Sequence, residues 1–418
     1  MSFFQLVVHS LRRHALSSLA AVLSLALGVA LMTATVSLRE QTHRFFLRVG
    51  LGVDAVVGPR GSPLQIVLNS LYHLEEMPGT IPWQTIEEIR RNPVVTAVIP
   101  FISGHSYAGV RVNAIDPSFF TDLEIQPGRG IGFDAAGGGQ GRGFPPGARH
   151  QAVAGWEAAR KLGIKLGDTF SPACGVTEGA PVHGRTTLTF VGIMARTGTP
   201  HDRAIYIPLE DFFTLEGHGE ETREMLTDHG HREVSGALLK IRRIRGDLLH
   251  PGLKDLQYAL RKDPRAQVIF PNEVLPQLFS IIGWVDHLVL GIAGLVVLIG
   301  TLFLLVALLW VLRERRRDYA LLRCLGASRR WVFGLIMAEA VCLSLAGGLL
   351  GLAGGHGMLG AGAPVFRAEA GLEIDPWCWG PVDHVLLPMV VVLGMVAALV
   401  PAWQAYRIHP LENLVSPS

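Results

Sequence analysis

The hydrophobic pattern of this 418-residue chain breaks into four long apolar runs with at most one charge each, separated by ordinary polar sequence. Ala15–Leu38 holds no charge over 24 residues and Leu288–Leu312 none over 25; Val385–Tyr406 also has none, and Trp331–Gly355 carries one, Glu339. A bilayer core takes about 20 apolar residues as helix. The runs therefore predict spans at 15–38, 288–312, 331–355 and 385–406. The expected fold class is a membrane protein with four transmembrane α-helices in a one-plus-three order. A large α+β extracytoplasmic domain, 39–287, lies between the first and second.

Orientation follows from Lys/Arg asymmetry in the short flanks. Arg12 and Arg13 precede the first span. Arg313, Arg315, Arg316, Arg317, Arg323, Arg329 and Arg330 separate the second from the third, and Arg407 follows the fourth. Between the third and fourth, Arg367 stands against Glu369, Glu373, Asp375 and Asp383. All basic flanks fall on one side if the spans number four. Both termini, the 313–330 loop and the 407–418 tail are then cytoplasmic, and 39–287 and 356–384 are exported. The first span reads as a signal anchor, because its uncharged run is longer than the usual h-region of a cleaved leader. Ahead of it, Phe3, Phe4, Val7, Val8 and Leu11 share one helical face. Residues 1–14 are expected to form a short interfacial helix, with fraying of the first span as the alternative.

The exported region mixes two periods. Val94–Phe101, Gly109–Ile115, Thr186–Val191, Ala204–Ile207 and Gly236–Ile241 read as short strands. Thr85–Arg91, Trp156–Leu162 and Leu253–Arg261 read as short helices, the second stopped by Gly163. Gly128–Gly147 holds nine glycines and is expected to be a mobile loop.

Composition agrees with the pattern. Charged residues make up 17% and hydrophobic residues 49%, with a mean hydropathy of +0.34. Soluble domains carry about 25% charge. A net charge of +2 and no basic, aromatic-interleaved stripe argue against nucleic acid as a partner. The four cysteines form no CxxC, and Cys174 and Cys378, both exported, are either paired or free. Gly137-Gly138-Gly139-Gln140-Gly141 is glycine-rich, but the chain has no Gly-Lys dipeptide and hence no P-loop. No nucleophile elbow, HExxH or paired-carboxylate spacing stands out, so no catalytic residue is assigned. An energy source must come from another polypeptide.

Local sequences carry a resemblance. Ser10-Leu11-Arg12-Arg13-His14 opens the first span, and Gln151–Phe170 (QAVAGWEAARKLGIKLGDTF) ends in Gly-Asp-Thr-Phe. Phe190–Asp202 (FVGIMARTGTPHD) is followed by Ile205–Pro208 (IYIP). Glu314–Ser328 (ERRRDYALLRCLGAS) and Val400–Leu414 (VPAWQAYRIHPLENL) flank the last two spans. In this order and with this layout the chain resembles the FtsX/MacB-type ABC transporter permeases, the type VII ABC family with its LolC/LolE-like arrangement. The resemblance implies an FtsX-like permease domain over 288–406 and a MacB-like periplasmic core domain. It implies a cytoplasmic ABC ATPase dimer as partner, with ATP and Mg held there. It further implies pairing with a second permease copy or a sister permease, a membrane-lipid environment, and an extracytoplasmic substrate or adaptor. Two functions follow: export or extraction of a lipoprotein, peptide or hydrophobic compound, or mechanotransmission to an extracytoplasmic partner without transport.

Three groups of residues are candidate sites. Tyr319, Leu322 and Leu325 recur at i, i+3, i+6, with Arg316 and Arg317 beside them and Gly326 closing the segment. They are expected to form an element that docks in the ATPase, the alternative being an ordinary basic loop. Glu339, the one charge inside a span, either locks helices together or hydrogen-bonds a neighbour without further role. In Glu216–Glu233, His218, Asp228, His229 and His231 combine imidazole and carboxylate, a chemistry that suits zinc; a solvated acidic loop is the other reading. Val56–Trp83 resembles a segment of permeases found beside metal-responsive transport genes, which adds metal-linked transport as a further alternative.

Overall fold

The computed structural model describes residues 15–49, 52–126, 129–175, 186–214, 232–244, 248–261, 263–370 and 374–407. The expected interfacial helix at 1–14, and His218, Asp228, His229 and His231 with their acidic neighbours up to 231, lie outside the described residues. In chain order the principal elements are α1 (Ala15–Val49), β1 (Ala55–Pro59), α2 (Pro63–Tyr72), α3 (Trp83–Arg90), β2 (Val95–Tyr107), β3 (Val110–Ile115), β4 (Gln151–Ala154) and α4 (Trp156–Leu162). Then come β5 (Leu188–Ile193), β6 (Ile205–Pro208), β7 (Gly236–Ile241), α5 (Gly252–Arg261), β8 (Ala266–Ile269), α6 (Pro271–Glu314), α7 (Arg316–Cys324), α8 (Arg329–Ala370) and α9 (Pro381–Tyr406). They form two compact units: residues 44–281, and a second unit assembled from the segments on either side.

The first unit is built on a mixed sheet in the order β8-β1-β7-β2-β3-β6-β4-β5, with the two-residue strand Gln140–Gly141 on the β5 edge. Pairing is antiparallel except between β3 and β6 and between β4 and β5. Successive side chains of a strand point to opposite faces, and here both faces are covered. Ala55, Val57, Ala237, Leu239, Ile205 and Ile207 pack on one side with Ile86 and Ile89 of α3 and Leu253, Leu256 and Leu260 of α5. Val56, Leu238, Val153 and Tyr206 pack on the other with Ile66, Val67 and Leu71 of α2. Double coverage explains why β7 reads as a nearly continuous apolar run rather than an alternation. Helix ends are set locally. The Ser62 hydroxyl accepts the N–H of Gln65 at 3.4 Å, just ahead of Pro63. Helix α4 stops at Gly163, which adopts φ 67°.

The glycine-rich stretch corrects the expectation of a mobile loop. From residue 129 to 147 it carries Ile131 and Phe144 into the core, and its strand Gln140–Gly141 pairs with β5. Glycine serves close approach here: a Cβ on Gly139 would lie 2.6 Å from the Phe133 backbone and 2.9 Å from that of Ala195.

Among the described residues, four helices are long and apolar enough to cross a membrane: Ala15–Phe46, Gly283–Glu314, Arg329–Arg367 and Pro381–Tyr406. Their outward faces are apolar, as at Leu302, Val306, Trp310, Val392 and Val396. Lipid is as apolar as leucine, so helices in a bilayer associate through small residues that let backbones approach. A Cβ on Gly351 of α8 would sit 2.5 Å from Cβ of Val29 on α1. All four cysteines are free thiols.

Candidate coupling site

The connection between the second and third spans is a short helix with an anchored face and an open one. Arg315 departs from helical geometry (φ −101°, ψ 12°), so α7 starts in a new direction after α6. It ends in a turn in which Gly326 adopts φ 101° and the Ala327 N–H reaches back to the Leu322 carbonyl at 3.0 Å. The Ser328 hydroxyl then accepts the Trp331 N–H at 3.2 Å and caps α8.

Tyr319 and Ala320 are buried among Leu312, Val332, Leu335, Ile336, Ala402 and Ala405, contributed by α6, α8 and α9. Burial, reinforced by the nearby Glu339 carboxylate, holds the Tyr319 phenol above its ordinary pKa. Arg315 extends under this face. Its Nη1 lies 3.5 Å from Oε1 of Glu339, with side chains only 12% and 3% exposed, and its guanidinium sits 5.8 Å from the Tyr319 ring. Asp318 adds a longer contact at 3.9 Å. The intramembrane carboxylate thus meets a cation at the helix end, and α7 is tied to the bundle by packing and by charge.

The expected stripe of Tyr319, Leu322 and Leu325 is not one face. Steps of three residues drift round a helix of about 3.6 residues per turn. Tyr319 therefore points inward, Leu322 is half-buried and Leu325 is 85% exposed. The open face carries Arg316, Arg317, Leu321 and Leu325. Arg315 and Leu321 are the residues that sequence reasoning missed. A lone intramembrane Glu signals a partner, but nothing in the pattern says which of the nearby arginines it takes.

The exported unit holds a separate buried polar network. His73, in left-handed geometry (φ 52°) at the end of α2, lies 3.2 Å from both His201 Nδ1 and the Tyr206 hydroxyl, which are 2.9 Å apart. Asn113 closes the group at 3.3 Å. Burial lowers the His201 pKa to about 4; it lowers that of His73 well below the ordinary value, with His201, Arg111 and Arg203 adding to the shift. Both imidazoles are therefore neutral, in surroundings that repel cations. Among the described residues no group of three or more His, Cys, Asp or Glu could hold a metal.

Four apolar helices, a domain inserted after the first, and an anchored helix between the second and third fit a multi-pass membrane permease. The family model for the MacB-like periplasmic core domain matches residues 18–237, and that for the FtsX-like permease C-terminal region matches 290–410. The chain belongs to the MacB/FtsX-type ABC transporter permeases, with a periplasmic α/β domain between spans one and two. It is 29% identical over 152 residues to the ABC transporter permease YknZ of Bacillus subtilis (strain 168), covering 35% of this chain and 36% of that one. It is 28% identical to the macrolide export ATP-binding/permease protein MacB of Rhodopirellula baltica, over 34% of this chain and 20% of that protein. It is 30% identical to the pyoverdine export ATP-binding/permease protein PvdT of Pseudomonas putida, over 31% and 19% respectively. The chain thus spans well under half of the length of the curated relatives it matches.

Proposed function

We propose that this chain converts ATP hydrolysis by partner ATPase chains into movement of its periplasmic domain, and that α7 is where the ATPase pushes. The observation that carries this reading is the two-faced α7: Tyr319 and the Arg315–Glu339 pair fix one side, while Leu321 and Leu325 stand open on the side that also exposes Arg316 and Arg317. Exposed leucines flanked by arginines suit a groove with an apolar floor and an acidic rim. A helix anchored by a buried ion pair passes a push to α8 instead of yielding. The side bearing α7 is cytoplasmic by the excess of arginine in its loop. The spans contain little charge, which suits transmission of motion better than a polar conduit.

Relatives named for macrolide and pyoverdine export support a hydrophobic or amphipathic cargo delivered on the periplasmic side; lipoprotein or peptide is the same class of reading. Mechanotransmission without transport uses the same α7, and copurification of a cargo or of an exported hydrolase separates the two. Zinc at His218, Asp228, His229 and His231 stays a proposal from sequence, tested by calorimetry of the full chain against its His218→Ala/His229→Ala/His231→Ala variant.

The deciding experiment reconstitutes the permease with its ATPase in lipid nanodiscs. Leu325→Asp with Leu321→Asp is expected to abolish permease-stimulated ATP hydrolysis while the melting temperature stays within a few degrees, since both side chains are exposed. Unchanged stimulation would remove α7 from the coupling path.

A further inference from the structure

The end of the membrane unit that carries α7 holds a second cluster of charge, on α8 and α9. The start of α8 meets the end of α9 there, with Val332, Leu335 and Ile336 packed among Ala402 and Ala405. Trp403 and Tyr406, on the last turn of α9, stack with ring centroids 5.8 Å apart and planes 17° from parallel. An arginine lies over each ring. The Arg329 guanidinium, from the first turn of α8, is 5.8 Å from the Tyr406 centroid, and that of Arg407 is 5.3 Å from the Trp403 centroid. A guanidinium held on an aromatic face keeps a planar fork of N–H donors that matches phosphate geometry. Arg330 adds a third exposed cation beside them. Among the described residues no carboxylate pairs with Arg329, Arg330 or Arg407.

The cluster crowns an apolar column. Val392, Val396, Leu399 and Trp403 follow one another at helical spacing, which keeps them on one face of α9. Their exposures are 51%, 56%, 48% and 54%. Arg407 continues the same face one turn further and is exposed. From Val392 to Trp403 the helix rises about 16 Å, close to half of a hydrocarbon core of ~30 Å. The column is therefore as long as one lipid leaflet is deep, and the aromatic stack with its arginines stands at headgroup level. Tryptophan suits that level, having an apolar body and a polar N–H. Three cations attract phosphate in any form, and an acidic protein surface as well. Only an amphiphile, however, engages the arginines and the apolar column together.

We propose that the start of α8 and the end of α9 bind an anionic phospholipid. Its phosphate is held by Arg329 and Arg407 at the Trp403–Tyr406 stack, in a field that Arg330 reinforces. One acyl chain runs along Leu399 and Val396 towards Val392. Basic residues at a membrane surface select anionic headgroups in this way. A zwitterionic headgroup brings its own ammonium, which three neighbouring cations repel. The site belongs to the leaflet on the α7 side, since Tyr319 packs with Ala402 and Ala405 in the same cluster. It does not depend on the coupling role proposed for α7.

The test is native mass spectrometry of the full chain in detergent, titrated with phosphatidylglycerol or with phosphatidylethanolamine of the same acyl chains. Phosphatidylglycerol is expected to bind about tenfold more tightly. Arg329→Gln with Arg407→Gln should bring its affinity down to that of phosphatidylethanolamine. Arg316→Gln with Arg317→Gln, which removes the same charge from α7, should leave the preference in place. All four arginines are exposed, so both double variants are expected to fold; Arg407→Gln alone reads the same loss if the first does not. Trp403→Ala should weaken phosphatidylglycerol as well, and millimolar inorganic phosphate should not displace it. Equal affinity for the two lipids overturns the proposal, as do equal losses in the two double variants. Displacement by inorganic phosphate would make this a free-phosphate site and overturn the lipid assignment. Unchanged lipid binding in Arg329→Gln/Arg407→Gln, with weaker association of the ATPase, would overturn it in favour of a protein partner.

Discussion

The membrane unit and the periplasmic domain each bury polar groups, one a charged pair and the other a neutral network. At the α7 end, Arg315 and Glu339 lie 3.5 Å apart. Arginine keeps its charge at every biological pH, so that clasp is permanent. In the periplasmic domain the buried groups are the imidazoles of His73 and His201, kept neutral by burial. The cation of the α7 clasp cannot be lost by a change of pH, and its burial makes either partner costly to remove.

The comparison breaks most directly at the permanent clasp. Arg315→Ala leaves Glu339 buried without its cation. Removing one partner of a buried pair costs about 3–5 kcal/mol, so a large fall in melting temperature is expected in lipid nanodiscs. Adding Glu339→Gln should recover most of it, since the uncompensated charge is then gone. Recovery by Glu339→Gln distinguishes a charge effect from lost packing by the arginine stem.

A second measurement concerns the buried histidines of the periplasmic domain. His73 and His201 are neutral in the folded periplasmic domain, with His201 lowered to about 4 from 6.5. The unfolded chain binds more protons than the folded one below the ordinary histidine pKa of 6.5. Stability is therefore full above that pH and declines as pH falls towards 4, below which the His201 contribution is exhausted. For His201 alone the loss is about 3 kcal/mol, and His73 adds to it. Melting of the periplasmic domain against pH should weaken in acid, and Tyr206→Phe should keep the sign of the slope. A profile that gains stability in acid would contradict the assignment of neutral rings at His73 and His201.

The smallest effect concerns how α7 hands over to α8. Ser328→Ala removes the hydroxyl that caps α8 through the Trp331 N–H. Loss of such a cap costs about 1 kcal/mol. A melting shift of a few degrees with nearly normal ATPase stimulation is expected. Full loss of stimulation would mean that the turn at Gly326, and not the open face of α7, is the transmitting part.

Much of this architecture is legible in one dimension. Hydropathy over windows of about 20 residues marks the four spans, because lipid imposes an apolar side chain at nearly every position. Gly163 at the end of α4 and Ser328 at the start of α8 are local signals, since capping acts within a few residues. Strands β2, β3, β5 and β6 show as runs rich in β-branched and aromatic residues, and β7 as a short apolar run. Strands β1, β4 and β8 and helix α2 escape notice, because short apolar runs covered on both faces have no distinguishing period.

What the sequence determined by itself is the one-plus-three order of spans, the exported α/β domain and the place of the arginine-rich connection. Each rests on properties summed over many neighbouring residues. Tertiary structure alone decided that Glu339 takes Arg315, and that Tyr319 turns inward while Leu321 and Leu325 turn out. It also brought His73 to His201, far apart in the chain. Such pairs depend on helix phase and on which helices touch. A shift of one or two positions along a helix rotates a side chain from core to surface, and periodicity read from sequence is too coarse to fix that angle.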